Sequence, residues 1–217
     1  MDTSTTICSV ALIIDGVVES EINMVVKAGH AGRLLPMIDD LLRLNRIDRS
    51  DLGLIAVGSG PGSFTGIRIG IATAKGLARA IGCPLIGIPT LDALTYGALP
   101  AQIPIMPVID ARKSEIFCAL YSPDGSLTTP YMNIHPHEVG DFVQDETLFI
   151  GNGIGLYEDI FASVLGSRFN KGPRNLWTPR ASVIGMMALG RGVEDHPPEV
   201  NPIYVRPSDA TLLLQRR

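Results

Sequence analysis

The amino-acid sequence predicts an α/β protein of two lobes, and three observations carry that prediction. Short apolar runs alternate with longer stretches of helical period, as strands and their covering helices do. The segment Gly60-Pro61-Gly62-Ser63-Phe64-Thr65-Gly66-Ile67-Arg68-Ile69-Gly70 joins the apolar run Leu54-Ile55-Ala56-Val57 to a helical stretch reaching Ile81. Glycine-rich strand-to-helix junctions of this kind are where α/β proteins place ligands or partners. Finally, the opening pattern returns: Asp2 and Asp110 are 108 positions apart (110 − 2), and the Asp-Gly turns at Asp15 and Asp124 are 109 apart (124 − 15).

Each element follows from its local pattern. Ile7 to Ile14 is nearly all apolar, as a strand buried on both faces would be. Asp15-Gly16 supplies a hairpin turn, and Val18 to Val26 alternates as a return strand with one wet face. Between Ala31 and Ile47, Leu34, Leu35, Ile38, Leu41 and Leu42 fall at helical spacing opposite Asp39, Asp40 and Arg43. Strand 54–57, the glycine junction, a helix to Ile81 with Ser63 as N-cap, strand 84–88 and a short helix from Thr90 to Leu99 complete residues 1–99. Pro100 to Pro107 holds three prolines, which marks the lobe boundary. In residues 100–200, strands are expected at 105–109, 116–121 and 147–150, then Gly151, Gly153 and Gly155, a helix near 156–165 and another near 182–193. Residues 201–217 read as a tail packing back on the first lobe.

Composition narrows the function. Of 217 residues 46% are hydrophobic and 18% charged, with no apolar run long enough to span a bilayer, so the expectation is a cytoplasmic protein without a membrane partner. A net charge of −4 gives no electrostatic footprint for direct nucleic-acid binding. Cys8, Cys83 and Cys118 are far apart in apolar surroundings, which fits buried thiols.

The chemistry-bearing motifs are mostly incomplete. A Walker A loop needs a lysine after its last glycine, and none follows Gly66. A dinucleotide fingerprint needs a third glycine where Thr65 stands. The four-residue spacing of Gly62, Gly66 and Gly70 suggests instead a ridge that another helix approaches closely. Asp2-Thr3-Ser4-Thr5, echoed by Asp110-Ala111-Arg112, has the acidic and hydroxyl residues of a phosphate-binding turn, in vestigial form, at Asp2, Ser4, Thr5, Asp110 and Arg112. His30, His135, His137 and His196 show no metal-ligand spacing, so no metal site is expected.

The runs Asp2-Thr3-Ser4-Thr5…Cys8-Ser9-Val10-Ala11-Leu12, His30…Arg33-Leu34-Leu35-Pro36-Met37-Ile38, Gly60 to Ile71, Ile109-Asp110-Ala111-Arg112 and Pro202-Ile203-Tyr204-Val205-Arg206 together resemble one family. It is the TsaB (YeaZ-like) family of bacterial tRNA threonylcarbamoyladenosine biosynthesis proteins, in the glycoprotease-like branch of the actin/Hsp70/sugar-kinase superfamily. The resemblance implies two lobes of actin-like ATPase (ribonuclease H-like) topology, each a mixed β-sheet with helices. It also implies a non-catalytic subunit of a tRNA threonylcarbamoyltransferase complex, serving as scaffold and activator. In that complex a catalytic paralogue, TsaD, transfers the threonylcarbamoyl group to the adenosine beside the anticodon of tRNAs reading codons that start with A. The ATPase TsaE joins them, tRNA is met only through the complex, and the chain alone forms a homodimer. The paralogue's metal site uses a His-x-x-x-His pair on its first helix; here Leu34 stands four residues after His30. By the same resemblance the partner interface comprises His30, Leu34, Leu35, Ile38, Phe64, Ile67, Arg68 and Ile71. No cofactor is expected to be tightly bound, with ATP or ADP and magnesium confined to a shared interface. Family members carry apolar residues before the Asp-Thr pair, whereas only Met1 precedes Asp2, which implies either a shortened first strand or a chain that starts late. The alternatives are an ATP-dependent small-molecule kinase of the same superfamily, using Asp2, Asp110 and Gly151 to Gly155, or a glycoprotease-like hydrolase.

Overall fold

The computed structural model describes residues 1–26, 29–191 and 199–206. The end of the helix expected near 182–193, His196 and the tail beyond Arg206 lie outside the described residues. Strands β1 (Ile7–Ile14) and β2 (Val17–Val25) pair antiparallel through Asp15-Gly16, whose φ of 51° and 78° meet the two left-handed positions that such a turn demands. β3 (Ile55–Gly60) and β4 (Leu85–Pro89) pair in parallel. Met1 and Asp2 fill the gap between the two pairs. Met1 N donates to Ala56 O at 2.8 Å and Gly58 N to Met1 O at 3.0 Å, while Asp2 and Ser9 exchange backbone bonds of 2.8 and 2.9 Å. The first half therefore reads β2-β1-(Met1, Asp2)-β3-β4.

The second sheet has the order β7-β6-β5-β8-β9, with β5 (Ile105–Arg112), β6 (Glu115–Cys118), β7 (Met132–Ile134), β8 (Thr147–Ile150) and β9 (Phe169–Lys171). Its two β5-β6-β7 pairings are antiparallel and its two β5-β8-β9 pairings parallel. β7 and β9 have three residues each, too few for an alternation to show in sequence.

Helix α1 (Ala31–Asn45) lays Leu34, Met37, Ile38, Leu41 and Leu42 on Cys8, Val10 and Leu12. Helix α2 (Phe64–Ile81) lays Ile67, Ile71, Ala74 and Ala78 on Ile55 and Val57. It ends at Gly82, whose φ of 82° suits a left-handed C-cap. Helix α3 (Thr90–Tyr96) is shared: Ala93 packs with Ile86 and Ile88, whereas Leu91 and Leu94 pack with Ile105, Ile109 and Tyr121. Helix α4 (Ile154–Leu165) covers the second sheet through Ile154, Phe161 and Leu165. Helix α5 (Ala181–Gly190), although it falls within residues 100–200, joins Ile184 and Ala188 to the cluster of Ile86 and Ile88 in the first half.

The placement of α5 has a polar cause. Glu21 on β2, its side chain only 6% exposed, accepts Ser182 N and Ser182 Oγ at 2.9 Å each and pairs with Arg180, while Ala181 N donates to Ser9 Oγ at 2.8 Å. The free N–H groups at the start of α5 are thus met by side chains of the first sheet. Burial raises the Glu21 pKa, but the bonds from Ser182 and Arg180 outweigh it and the net direction is down.

Candidate functional site

Between the halves lies a cleft of about 1090 Å³. One wall is Ser4 to Thr6, His30 and residues 61–66 of the glycine junction with Arg68; the other is Ile109 to Arg112, Phe117, Asn152, Gly155 and Leu156; Ile203 to Arg206 complete the lining.

The glycine junction fits this wall differently from the expected helix ridge. A Cβ on Gly62 would stand 2.3 Å from Ser4 O, on Gly66 2.0 Å from Thr3 O, and on Gly70 2.5 Å from Thr3 Oγ1. Gly62 and Gly66 admit the chain's own Thr3-Ser4 backbone and Gly70 the Thr3 hydroxyl, not another helix. Thr3 Oγ1 donates to Gly66 O at 2.7 Å and Ser63 N to Ser4 O at 2.7 Å, which locks the contact. Ser63 is the N-cap as its sequence position predicts, its Oγ accepting Gly66 N at 3.2 Å.

Of the five residues expected to form a vestigial phosphate turn, four line the cleft and Asp2 does not. Asp2 is fully buried and does not line the cleft. Its Oδ1 accepts Ser4 N and Ser4 Oγ at 3.0 and 2.8 Å, and its Oδ2 has no hydrogen-bond partner and faces Gly58, where a Cβ would come within 1.9 Å. Burial pushes the Asp2 pKa up to about 6, against the opposing bonds from Ser4. Ser4, Thr5, Asp110 and Arg112 do line the cleft. Asp110 is already engaged: its Oδ1 accepts Arg112 N at 2.8 Å, its Oδ2 lies 3.3 Å from Arg112 Nη1, and its backbone N donates to Asn152 Oδ1 at 3.1 Å. Among the described residues no group of three or more His, Cys, Asp or Glu could hold a metal ion.

The residues expected at a partner interface divide sharply. Leu34, Ile38, Ile67 and Ile71 are 0, 8, 1 and 5% exposed inside the chain's own core, and His30 is 8% exposed. Their apolar periodicity records how each helix covers its sheet, so these side chains are not offered to a partner by the folded chain. Burial lowers the His30 pKa, the Thr5 backbone opposing it. Leu35 is 51% exposed, Arg68 is exposed and Phe64 partly so. Beside them α2 exposes Ala72, Gly76, Arg79 and Ala80, small residues at helical spacing between cations. Tyr204, Arg206, Asn152 and Leu156 are cleft residues that local patterning did not single out. Asn152, set between Gly151 and Gly153, was the nearest to legible.

Two five-membered sheet arrangements of one order, helices on their faces and a cleft between them define an actin-like, ribonuclease H-like protein. The family model described as TsaD, tRNA N6-adenosine threonylcarbamoyltransferase, matches residues 24–190. The chain is 40% identical over 126 residues to the tRNA threonylcarbamoyladenosine biosynthesis protein TsaB of Escherichia coli (strain K12), an alignment covering 57% of this chain and only about half, 54%, of that protein. With TsaB of Bacillus subtilis (strain 168) it is 28% identical over 216 residues, covering 97% and 94% of the two chains. The solved structure of YeaZ from Pseudomonas aeruginosa is similar at a TM-score of 0.75 and 30% identity, covering 94% of this chain and 96% of that one. The chain belongs to the family that this model describes, and within it to the TsaB/YeaZ group.

Proposed function

We propose that this chain takes part in threonylcarbamoyladenosine formation on tRNA as a non-catalytic subunit, scaffold and activator of a catalytic paralogue of the TsaD type. The modified base is the adenosine beside the anticodon of tRNAs reading codons that start with A. The observation that carries the reading lies at the start of α1. Where the paralogue places a second imidazole four residues after the first, this chain has Leu34, whose hydrocarbon side chain has no donor atom for a metal and is buried in the core. Docking uses the accessible faces of α1 and α2, among them Leu35, Phe64 and Arg68; the same faces pair two copies when the chain is alone. TsaE joins the pair, and tRNA is met through the complex.

A magnesium nucleotide does not fit the chain's own cleft. Among the described residues Asp110 is the one carboxylate lining it and is held by Arg112, and Asp2 is turned away beneath Gly58. On this reading any ATP or ADP with its magnesium belongs to the interface shared with the partner. Coexpression with the paralogue and TsaE, followed by a threonylcarbamoyl transfer assay with and without this chain, tests the reading: loss of transfer on omission is expected. Transfer that is unchanged without the chain sinks it. Tight, stoichiometric binding of magnesium-ATP to the isolated chain by calorimetry would favour the kinase alternative.

A further inference from the structure

We infer that residues 199–206 are a clamp across the cleft that fixes how far the two halves stand apart. The segment is built into the first half. Val200 is 4% exposed in the α2–β3 core, Glu199 lies 3.3 Å from Lys75, and Ile203 N donates to Ser59 O at 2.8 Å. Two strand glycines make room for it: a Cβ on Gly87 would meet Val200 Cγ1 at 2.8 Å, and one on Gly60 would meet Ile203 O at 2.8 Å.

After Tyr204, still held by the first half, the chain crosses to the second. Tyr204 stacks on Phe64 with ring centroids 4.9 Å apart and accepts Arg68 Nε at 2.7 Å, while the Arg68 guanidinium sits 3.8 Å from the Phe64 ring centre. Val205 packs with the cluster of Ile109 and Phe117. Arg206 Nη1 then meets Glu115 Oε2 on β6 at 2.7 Å, with the two side chains 21% and 23% exposed, and Glu115 is also held by Asn133 Nδ2 at 2.7 Å. Two residues separate a backbone bond to β3 from an ion pair to β6. A partly buried, hydrogen-bonded pair of this kind resists separation more than an exposed one. Opening the cleft must break it or unstack Tyr204.

Away from the cleft lining a second tie joins the halves: Asp92 Oδ1 on α3 accepts Tyr121 Oη at 2.7 Å and Tyr131 Oη at 2.6 Å. With α3 as one tie and the clamp as the other, residues 199–206 oppose hinge opening about α3. The clamp also holds Arg68 and Phe64, so the exposed start of α2 is linked to β6 through two side chains.

The test uses the full chain carrying Cys83→Ser and spin labels at Ala80→Cys on α2 and Ser163→Cys on α4, both exposed positions. Arg206→Glu and Glu115→Arg should each give a longer and broader label separation, and the double exchange Arg206→Glu with Glu115→Arg should return it to the parent distribution. Tyr204→Ala, which removes the stack without introducing a charge, should also lengthen the separation and serves if either charge variant does not fold by circular dichroism. A parent-like distribution in folded Arg206→Glu and Tyr204→Ala, or a double exchange that restores nothing, overturns the clamp.

Discussion

The two halves of the molecule follow one strand plan but build its centre differently. In the second half β5 supplies eight residues, pairing with β8 through Ile105 to Pro107 and with β6 through Val108 to Arg112. In the first half the same place holds only Met1 and Asp2. Both halves seat a glycine turn on this centre: Gly62 and Gly66 over Thr3-Ser4, and Gly151 and Gly153 over Val108 O, where a Cβ would come to 2.3 and 3.1 Å. Both halves add side chains near the joint, Asp2 to Ser4 and Thr3 to Gly66 in the first, Asn152 to Asp110 N and Asp110 to Arg112 N in the second. What differs is the place of the acidic residue: in the first half its carboxyl is drawn inside, against Ser4 and Gly58. Asp2 is buried whereas Asp110 lines the cleft. The same residue type at matching positions therefore has two roles.

The largest way to break this comparison is Gly66→Ala. Its Cβ meets backbone at 2.0 Å, which neither Thr3 nor α2 can yield cheaply, so a loss of roughly 4 kcal/mol or more is expected in urea unfolding. Gly153→Ala, at 3.1 Å from Val108 O, should cost about 1 kcal/mol. Equal costs would show that the short first-half joint is no tighter than the long one. Next in size, Ile67→Ala should cost about 2–5 kcal/mol because its side chain is 1% exposed. Leu35→Asp, on the 51% exposed position, should stay within about 0.5 kcal/mol of the parent while weakening association with the paralogue in a pull-down.

Asp2 gives the third prediction, with a pH signature. An acid whose folded pKa is raised binds its proton more tightly in the native state. Its contribution is most favourable below the unfolded value of 3.8, and is lost as pH rises through about 6. Asp2→Asn removes that loss. Going from pH 4 to pH 7.5, the parent should lose on the order of 2 kcal/mol relative to the variant, at about 1.4 kcal/mol per pKa unit. Parallel stability curves for the two proteins would contradict the buried carboxyl. Smallest is Gly76→Ala, on an open part of the same helix as Gly66. It should raise stability by up to about 1 kcal/mol, since only helix propensity changes.

Local patterning was legible wherever a segment's neighbours in space are its neighbours in sequence. The hairpin at Asp15-Gly16, the Ser63 cap, α1, α2 and the strands on either side of α2 can all be read from period and turn chemistry. So can the echo between Asp2 and Asp110, which the matching sheet orders explain. β7 and β9 were not legible, because three residues held mainly by their ladders carry no pattern of their own.

The glycine junction marks the boundary between what sequence and structure each decide. Sequence alone determined that Gly60 to Gly70 needs close backbone approach and carries no phosphate-gripping lysine. It also determined that α1 and α2 each have one apolar face. Which surfaces meet those faces is a matter of long-range contact, and only the tertiary structure decided it. The apolar faces close on the chain's own sheet, the glycines on Thr3-Ser4, α5 on the first half through Glu21, and Tyr204 to Arg206 across the cleft. The physical reason is that an apolar stripe or a missing Cβ has no direction in sequence space. Burial rewards any apolar partner equally, and the fold supplies the one within reach.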